Sequence, residues 1–265
     1  MSLAETANLS GVDFYFAFCY NFFIMAVETK QITMNKDIQI SIDEMSQAGV
    51  NFGHKTSRLH PKMQQYILKV KDSVHVIDLD KTAEALKDAL NLIRKSVMDG
   101  KSVLFVGTKV HLRDLLEKTA KDCGFPYVRE RWIGGTFTNF DEIKKRVQYL
   151  KDLENKTKEA EYEKNYTKKE RSMMNREIAR LNLKFQGIKE MDRLPAALFV
   201  LDMKKDAIAI SEARKMGIKV IAIADTNVNP MLADYPIPAN DDAISSVKYI
   251  LNKISEVVAE VRPNS

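Results

Sequence analysis

Cysteine is scarce in this chain, which carries only Cys19 and Cys123 among its 265 residues. Two isolated thiols can form neither a disulfide framework nor the ligand set of a structural zinc site. Cys123 ends an apolar helical segment just before Gly124, so we expect a buried free thiol there. This composition favours a reducing environment such as the cytoplasm.

The sequence fingerprints of several enzyme classes are also missing. The chain has no G-x-G-x-x-G dinucleotide motif and no G-x-S-x-G nucleophile motif. Gly100-Lys101-Ser102 looks like the end of a phosphate-binding P-loop, but Lys95 stands where the leading glycine is required. The tripeptide also precedes its strand, whereas a P-loop follows one. These absences weigh against nucleotide-dependent and serine hydrolase chemistry.

Long apolar runs are confined to the N-terminal region. Residues 12–27 are apolar and aromatic, but the run is short for a membrane span and no basic residue precedes it, unlike a signal peptide. It could be an amphiphilic anchor, a partner-binding segment or a region upstream of the native start, since Met25 and Met34 could each serve as that start. We interpret residues 1–34 as an N-terminal extension, either disordered or the product of a mis-assigned start, and predict no membrane association.

Neither sign of charge dominates the chain. Its 41 lysines and arginines exceed its 36 aspartates and glutamates by little, which leaves a formal net charge of +5. Such an excess suits a polyanionic partner, but many cytoplasmic enzymes carry a similar surplus. The distribution of the basic residues is therefore more informative than their sum.

Short apolar strands alternate with amphipathic helices from about Val74 onward. Strands are predicted at residues 75–79, 102–106, 125–128, 197–201 and 219–224. Tyr235–Pro238 suits only an edge strand, because proline cannot donate to a ladder. Asp80 or Thr82 is expected to cap the first helix, and Asn240 or Asp241 the last. Strands that are apolar on both faces predict a doubly wound parallel α/β sheet, with a ligand crevice beyond its carboxyl edge.

The alternation is interrupted by a charged segment at residues 141–190. Its apolar residues recur at three- and four-residue spacing, and Thr167 with Glu170 forms a capping box. The pattern predicts two long antiparallel helices, an inserted coiled-coil hairpin that divides the α/β domain into residues 35–140 and 191–265. A solvated charged hairpin with a purely structural role is the alternative.

Three loops carry candidate phosphate- or base-binding groups. Residues 51–63 interleave basic, hydroxyl and imidazole side chains, and Gly107-Thr108-Lys109 lies where a strand passes into a helix. Residues 129–140 hold the only tryptophan, between two arginines and a Gly-Gly pair, a combination that suits stacking on unpaired bases. The alternatives are a solvated loop, an ordinary turn and a tryptophan that anchors its loop to the core. The candidate RNA-binding residues are Lys55, Arg58, Lys62, Lys109, Arg113, Arg129, Arg131 and Trp132.

A metal site is a further hypothesis. Asp202 and Asp225 each follow an apolar strand, so both carboxylates are expected at the carboxyl edge of the sheet. Together with His54 they could bind a divalent metal such as zinc or serve in acid–base chemistry. The alternative is helix capping and loop hydrogen bonding, which aspartate favours at such positions.

Eight segments, in order over about residues 40–260, resemble the bacterial-type ribosomal protein S2 family. They are Ala48–His54, Pro61–Met63, His75–Thr82, Phe105–Lys109, Arg131–Asn139, Leu194–Asp202, Asp225–Asn227 and Ile237–Ile244. Any one of these is weak, but their order and spacing together are specific. The chain departs from the family pattern at Asn51, where a second histidine is usual, while the three candidate metal ligands match.

The resemblance implies a flavodoxin-like parallel sheet with an inserted coiled-coil hairpin. It also implies a structural protein of the cytoplasmic small ribosomal subunit, with no catalytic activity, no required cofactor and no small-molecule substrate. Expected partners are small-subunit rRNA, neighbouring ribosomal proteins and the mRNA-binding ribosomal protein S1, which the family helps to recruit. The competing hypothesis is a flavodoxin-like enzyme that binds a sugar phosphate or nucleotide at Gly107-Thr108-Lys109 with Asp202 or Asp225.

Overall fold

The structure is a computed structural model that describes residues 38–158 and 166–262. The predictions for residues 1–34, Cys19 included, lie outside the described residues. The description below concerns the compact unit that begins at Ile40. Within the described ranges, no helix combines the length and the apolarity that a bilayer crossing requires.

A small antiparallel sheet forms the first part of this unit. Helix α1 (Ile42–Gln47) precedes strands β1 (Phe52–Lys55), β2 (Ile67–Lys71) and β3 (Val74–Ile77), with 3-10 turns at Thr56–Arg58 and Pro61–Tyr66 between β1 and β2. The strand order is β1-β3-β2, and both pairings are antiparallel.

The prediction that residues 75–79 begin the parallel alternation is therefore wrong. The β-branched run does form a strand, but β3 lies between two antiparallel neighbours. Its connection to β2 consists of Asp72 and Ser73, both at positive φ, which is the geometry of a tight type I′ hairpin turn. Neither residue is glycine, so the usual sequence signal for such a turn is missing.

The rest of the unit is a layered α/β structure. Its elements are α2 (Leu79–Met98), β4 (Val103–Val106), α3 (Arg113–Asp122), β5 (Tyr127–Val128), α4 (Phe140–Lys158), α5 (Lys168–Phe185), β6 (Ala197–Val200), α6 (Ala207–Lys215), β7 (Lys219–Ala224), β8 (Tyr235–Pro238) and α7 (Ile244–Val261). The five strands pair in the order β5-β4-β6-β7-β8, and every pairing is parallel. Numbered along the chain, this is the 2-1-3-4-5 order of flavodoxin-like folds, as predicted. Strand β8, with its two prolines, lies at the edge.

The central strands are apolar because helices cover both faces of the sheet. Every residue of β4 and β6 is buried, and the rings of Phe105 and Phe199 on these neighbouring strands lie 5.2 Å apart. Helix α2 packs against α7 and β8. Asp78 caps α2 by accepting from the amide of Asp80, while the Thr82 hydroxyl donates to the Pro238 carbonyl. The helix cap is therefore Asp78, which precedes the expected caps Asp80 and Thr82.

The inserted helices α4 and α5 are partly buried in the core. Leu150 and Leu153 of α4 and Leu181 and Phe185 of α5 are buried in one apolar cluster with residues of the parallel sheet. The capping box of Thr167 is present at the start of α5. A continuous coiled coil remains a prediction, since residues 159–165 between the two helices lie outside the described range.

Gly187 joins this insertion to the edge of the sheet. A Cβ atom at Gly187 would clash with the carbonyl oxygen of Tyr127 in β5, whereas a Cβ at Gly134 would meet no atom within 4 Å. We expect Gly187→Ala to lower the free energy of unfolding by about 1–3 kcal/mol, as overpacking does. Gly134→Ala is the matched control and should change it by less than about 0.5 kcal/mol. Equal urea midpoints for the two variants would contradict this close approach.

Candidate functional site

The carboxyl edge of the parallel sheet is built around the ammonium group of Lys109, which follows β4. Its Nζ lies 3.1 Å from a carboxylate oxygen of Asp202, after β6, and 2.9 and 2.7 Å from those of Asp241 and Asp242, after β8. Although burial alone disfavours the charged lysine, the three carboxylates more than offset it and raise the pKa of Lys109 well above its ordinary value. Lys109 thus joins three loops of the sheet by ion pairs.

Burial raises the pKa of two carboxyl groups at this edge. Burial raises the pKa of Asp241 to about 7, and Lys109 acts against that rise. Burial also raises the pKa of Asp206 to about 6, although the Thr108 hydroxyl donates to this carboxyl at 2.9 Å. The Lys205 ammonium closes the same turn by donating to the Thr108 carbonyl at 2.8 Å. The turn after β4 is therefore occupied by internal contacts.

Two of the three predicted metal ligands, His54 and Asp225, pair with each other, and the third, Asp202, pairs with Lys109. His54 pairs through Nδ1 with Asp225 at 2.9 Å, and a hydrogen bond with Asp225 raises the pKa of His54 above its ordinary value. Asp202 instead binds Lys109 and accepts from the amides of Lys204 and Lys205 at 2.8 and 2.9 Å. No group of three histidine, cysteine or acidic side chains suited to a metal occurs within residues 38–158 and 166–262. A zinc site at these residues stays a prediction.

The loop that contains Trp132 is organised by a buried carboxylate, Glu212 of α6. One oxygen of Glu212 accepts from the indole Nε1 of Trp132 at 3.1 Å and from the Gly135 amide at 2.8 Å, and the other accepts from the Phe137 amide at 3.0 Å. Burial tends to raise the pKa of Glu212, but these hydrogen bonds outweigh it and hold the pKa below its ordinary value.

Trp132 is consequently part of the core. Its side chain is only 6% exposed, and its ring packs edge-on against Phe137 at 5.0 Å. This corrects the expectation that the indole presents a face to a base, because its faces are covered by protein. The anchoring alternative describes Trp132 correctly.

Two of the candidate arginines are paired inside the protein. Arg113 lies 2.6 Å from Glu130, and Arg129 pairs with Glu117, whose other partners are Tyr127 and Lys121. These carboxylates offset the positive charge of the arginines, as Asp202, Asp241 and Asp242 offset that of Lys109. The sequence pattern did not reveal these ion pairs, since each arginine and its carboxylate partner lie in different segments of the chain.

Four candidate cations remain open to a partner. The side chains of Lys55, Arg58, Lys62 and Arg131 are exposed, and none of them forms an ion pair with another described residue. Arg131 follows β5 at the carboxyl edge of the sheet. We refer to these four residues as the open cations.

The segment that carries three of the open cations, from the end of β1 into the following loop, is fastened to Thr226 just after β7. The amide of His54 donates to the Thr226 hydroxyl at 2.9 Å, and the amide of His60 donates to the Thr226 carbonyl at 2.8 Å. Gly53 leaves no room for a side chain against Thr226, which explains the glycine at that position. The loop is therefore held at the carboxyl edge of the parallel sheet.

Glu212 and Asp206 are buried carboxylates that hold loops in place and that sequence reasoning missed. Glu212 follows Ala209 and Ile210 and precedes Ala213, all buried positions of α6, so a carboxylate within an apolar helical face was the available signal. Asp241 was expected only as a helix cap, but α7 begins at Ile244 without a side-chain cap, and Asn240 accepts from the amides of Asp242 and Ala243 in the preceding loop.

Comparisons with known proteins agree with the resemblance drawn from the sequence. The family model described as ribosomal protein S2 matches residues 45–261. A small ribosomal subunit protein uS2 of Dehalococcoides mccartyi is 44% identical over 222 residues, which cover 84% of this chain and 90% of that protein. The uS2 protein of Borrelia duttonii is 44% identical over 83% of this chain and 87% of its own length. Protein uS2c of Rhodomonas salina is 46% identical over 83% of this chain and 90% of its own length.

Replacing Lys109 tests its role at the carboxyl edge. Lys109→Met leaves buried carboxylates without a counter-charge, so we expect a loss of about 3 kcal/mol in the free energy of unfolding at pH 8. The loss should shrink toward pH 5, because protonation relieves the uncompensated carboxylates. Urea unfolding at several pH values measures both effects. Lys145→Met, which removes an exposed lysine, is the control, and an equally small change in both variants would contradict the assignment.

Replacing Glu212 tests the carboxylate that holds the Trp132 loop. Glu212→Gln cannot accept all of these hydrogen bonds, so we expect it to be less stable by about 1–3 kcal/mol at pH 7. Since the folded pKa of Glu212 is lowered, its contribution is complete above the unfolded pKa of about 4.3 and is lost as the pH falls through the lower folded pKa. The variant should therefore lose less stability than the wild type on acidification in urea titrations. The exposed Glu256→Gln should match the wild type in both respects.

Proposed function

Because the chain belongs to the ribosomal protein S2 family, it is a protein of the small ribosomal subunit, and we propose that the open cations bind small-subunit rRNA. The supporting observation is that Lys55, Arg58, Lys62 and Arg131 keep their charges exposed and unpaired among the described residues. The other candidate cations have carboxylate partners within the protein. The open cations are therefore the basic groups of the predicted set that a phosphate backbone can reach.

The chemistry of this binding is phosphate neutralisation by a folded surface. Lysine and arginine contacts to phosphate oxygens fix the position of a protein on RNA without reading its sequence. A loop fastened at both His54 and His60 to Thr226 presents its charges with little freedom. Less conformational entropy is then lost on binding than with a free loop.

A structural role fits the carboxyl edge better than the enzyme hypothesis does. In flavodoxin-like folds the ligand binds beyond the carboxyl ends of the strands at the switch point of the strand order, here between β4 and β6. At that point Asp202 and Asp241 are buried around Lys109, and Asp206 is buried against Thr108. A phosphate placed there would meet carboxylates and would have to displace the ion pairs. The relatives are likewise ribosomal proteins by name.

Recruitment of ribosomal protein S1 is a second part of the proposal. It rests on the family resemblance, which also implies contacts with neighbouring small-subunit proteins in the cytoplasmic ribosome. The helices α4 and α5, whose exposed positions are mostly polar but include Tyr149, Met173 and Leu183, are the surface that we propose for contacts with neighbouring proteins. Gradient fractions that contain small subunits can be assayed for S1 in the experiment below.

Charge removal at the open cations tests the rRNA proposal. The triple variant Arg58→Ala, Lys62→Ala, Arg131→Ala should co-sediment less with small subunits after a high-salt wash. The slope of log affinity for isolated rRNA against log salt concentration should become shallower by about 0.7 to 0.9 for each phosphate that is no longer neutralised. Sucrose-gradient sedimentation and filter binding at several salt concentrations measure these quantities.

A matched triple variant separates local contacts from net charge. Lys101→Ala, Arg214→Ala, Lys215→Ala removes the same charge from exposed positions near the amino ends of β4 and β7. It should sediment and bind as the wild type does. Equal losses in the two triple variants would show that the open cations have no special role.

A further inference from the structure

One face of the small antiparallel sheet carries an aromatic ring among lysines. The pairing register places two rows of side chains across the three strands, Lys71–Val74–Lys55 and Lys69–Val76–Phe52, and a register shift in β1 separates the two rows. Paired residues on neighbouring strands project from the same face. We call the surface formed by Phe52, Lys55, Lys69 and Lys71 the lysine face.

The lysine face is open and its charge is unbalanced. Phe52 keeps 51% of its surface exposed although it belongs to a strand, and Lys55, Lys69 and Lys71 are exposed as well. None of the three lysines forms an ion pair with a residue in the described part of the chain. An exposed aromatic ring among unpaired ammonium groups contributes little to folding.

These groups match the chemistry of unpaired nucleotides. Every base has a flat face that can stack on an aromatic ring, and lysines beside the ring neutralise the phosphates that join the bases. Some RNA-binding sheets use exposed aromatic residues in this way. A double helix offers no free base for Phe52, and an acidic protein segment would satisfy the lysines without using the ring.

We propose that the lysine face binds single-stranded RNA, with Phe52 stacked on a base and the three lysines on the backbone. The inference deepens the proposed function, because rRNA is the expected source of the unpaired nucleotides. It depends on different residues, except for Lys55, which belongs to both surfaces. The loop after β1 is joined to the lysine face, since the Thr56 amide donates at 3.0 Å to the carbonyl of Ser73 in the turn between β2 and β3.

Fluorescence anisotropy of the full-length chain with a labelled oligouridine of about a dozen nucleotides tests the proposal. Phe52→Ala should weaken binding by about fivefold or more, which is the lower range for loss of one stacked base. Phe52→Tyr, which keeps a ring, should bind within about twofold of the wild type. The double variant Lys69→Ala, Lys71→Ala should reduce the salt slope by about 1.4, or 0.7 for each phosphate that a lysine no longer neutralises.

The opposite face of the same strand provides the control. Leu68 and Val70 alternate with the two lysines along β2 and are 64% and 54% exposed. The double variant Leu68→Ala, Val70→Ala should bind oligouridine as the wild type does. An equal loss in this variant, or unchanged binding by Phe52→Ala, would overturn the proposal.

Two further outcomes keep this inference separate from the proposed function. If a polyglutamate peptide competes as well as oligouridine, the face binds acidic protein segments, and the RNA assignment is wrong. If the Arg58, Lys62 and Arg131 variant loses small-subunit association while the Phe52 and Lys69/Lys71 variants bind oligouridine normally, only the present inference fails. Circular dichroism of each variant confirms that binding changes do not come from unfolding.

Discussion

The ion pairs of Lys109 are the interaction on which the carboxyl edge of the sheet depends. Parallel strands bring the loops after β4, β6 and β8 to one edge, and these loops carry Asp202, Asp241 and Asp242 close together. Without a cation among them, such carboxylates would repel one another at low dielectric. One ammonium group, covered from solvent for most of its surface, replaces that repulsion by attraction and links loops far apart in sequence. The crevice where flavodoxin-like proteins bind ligands is thereby used for internal cohesion.

The same division between internal and external charge recurs in the other loops. Glu212 binds the Trp132 loop, and Glu130 and Glu117 bind Arg113 and Arg129. Because these charges are satisfied inside the protein, they set the shape of the loops and offer little to a polyanion. In the proposed function, RNA is bound by the basic side chains that lack a carboxylate partner, and these are fewer than the basic residues that the sequence contains. The formal net charge of +5 does not show this difference, since it counts paired and unpaired basic residues alike.

Features that depend on neighbouring residues could be predicted from the sequence, and features that depend on distant partners could not. The apolar runs of β4, β6 and β7, the proline-bearing edge strand β8 and the capping box of Thr167 all follow from local spacing and local chemistry. The pairing of β3, the burial of Trp132 and the neutralisation of Lys109 each require a partner elsewhere in the chain. Glu212 lies 80 positions from the Trp132 that it holds, and Asp241 lies 132 positions from Lys109. Pattern analysis of a single sequence shows which residues could carry a charge or a hydrogen bond, but it does not show which distant residue each one contacts.

Thr226 explains why the exposed basic residues can nevertheless act as a defined surface. This residue is fully buried at the end of β7, and its hydroxyl and carbonyl accept from the amides of His54 and His60. Those two amides bracket the loop from β1 toward β2, so the rigid parallel sheet fixes the position of a segment that is itself largely exposed. Gly53 packs against the same threonine without a side chain, which allows the close approach. The parallel sheet therefore positions cations that it does not itself carry, and a surface ordered before binding loses less entropy when it meets RNA.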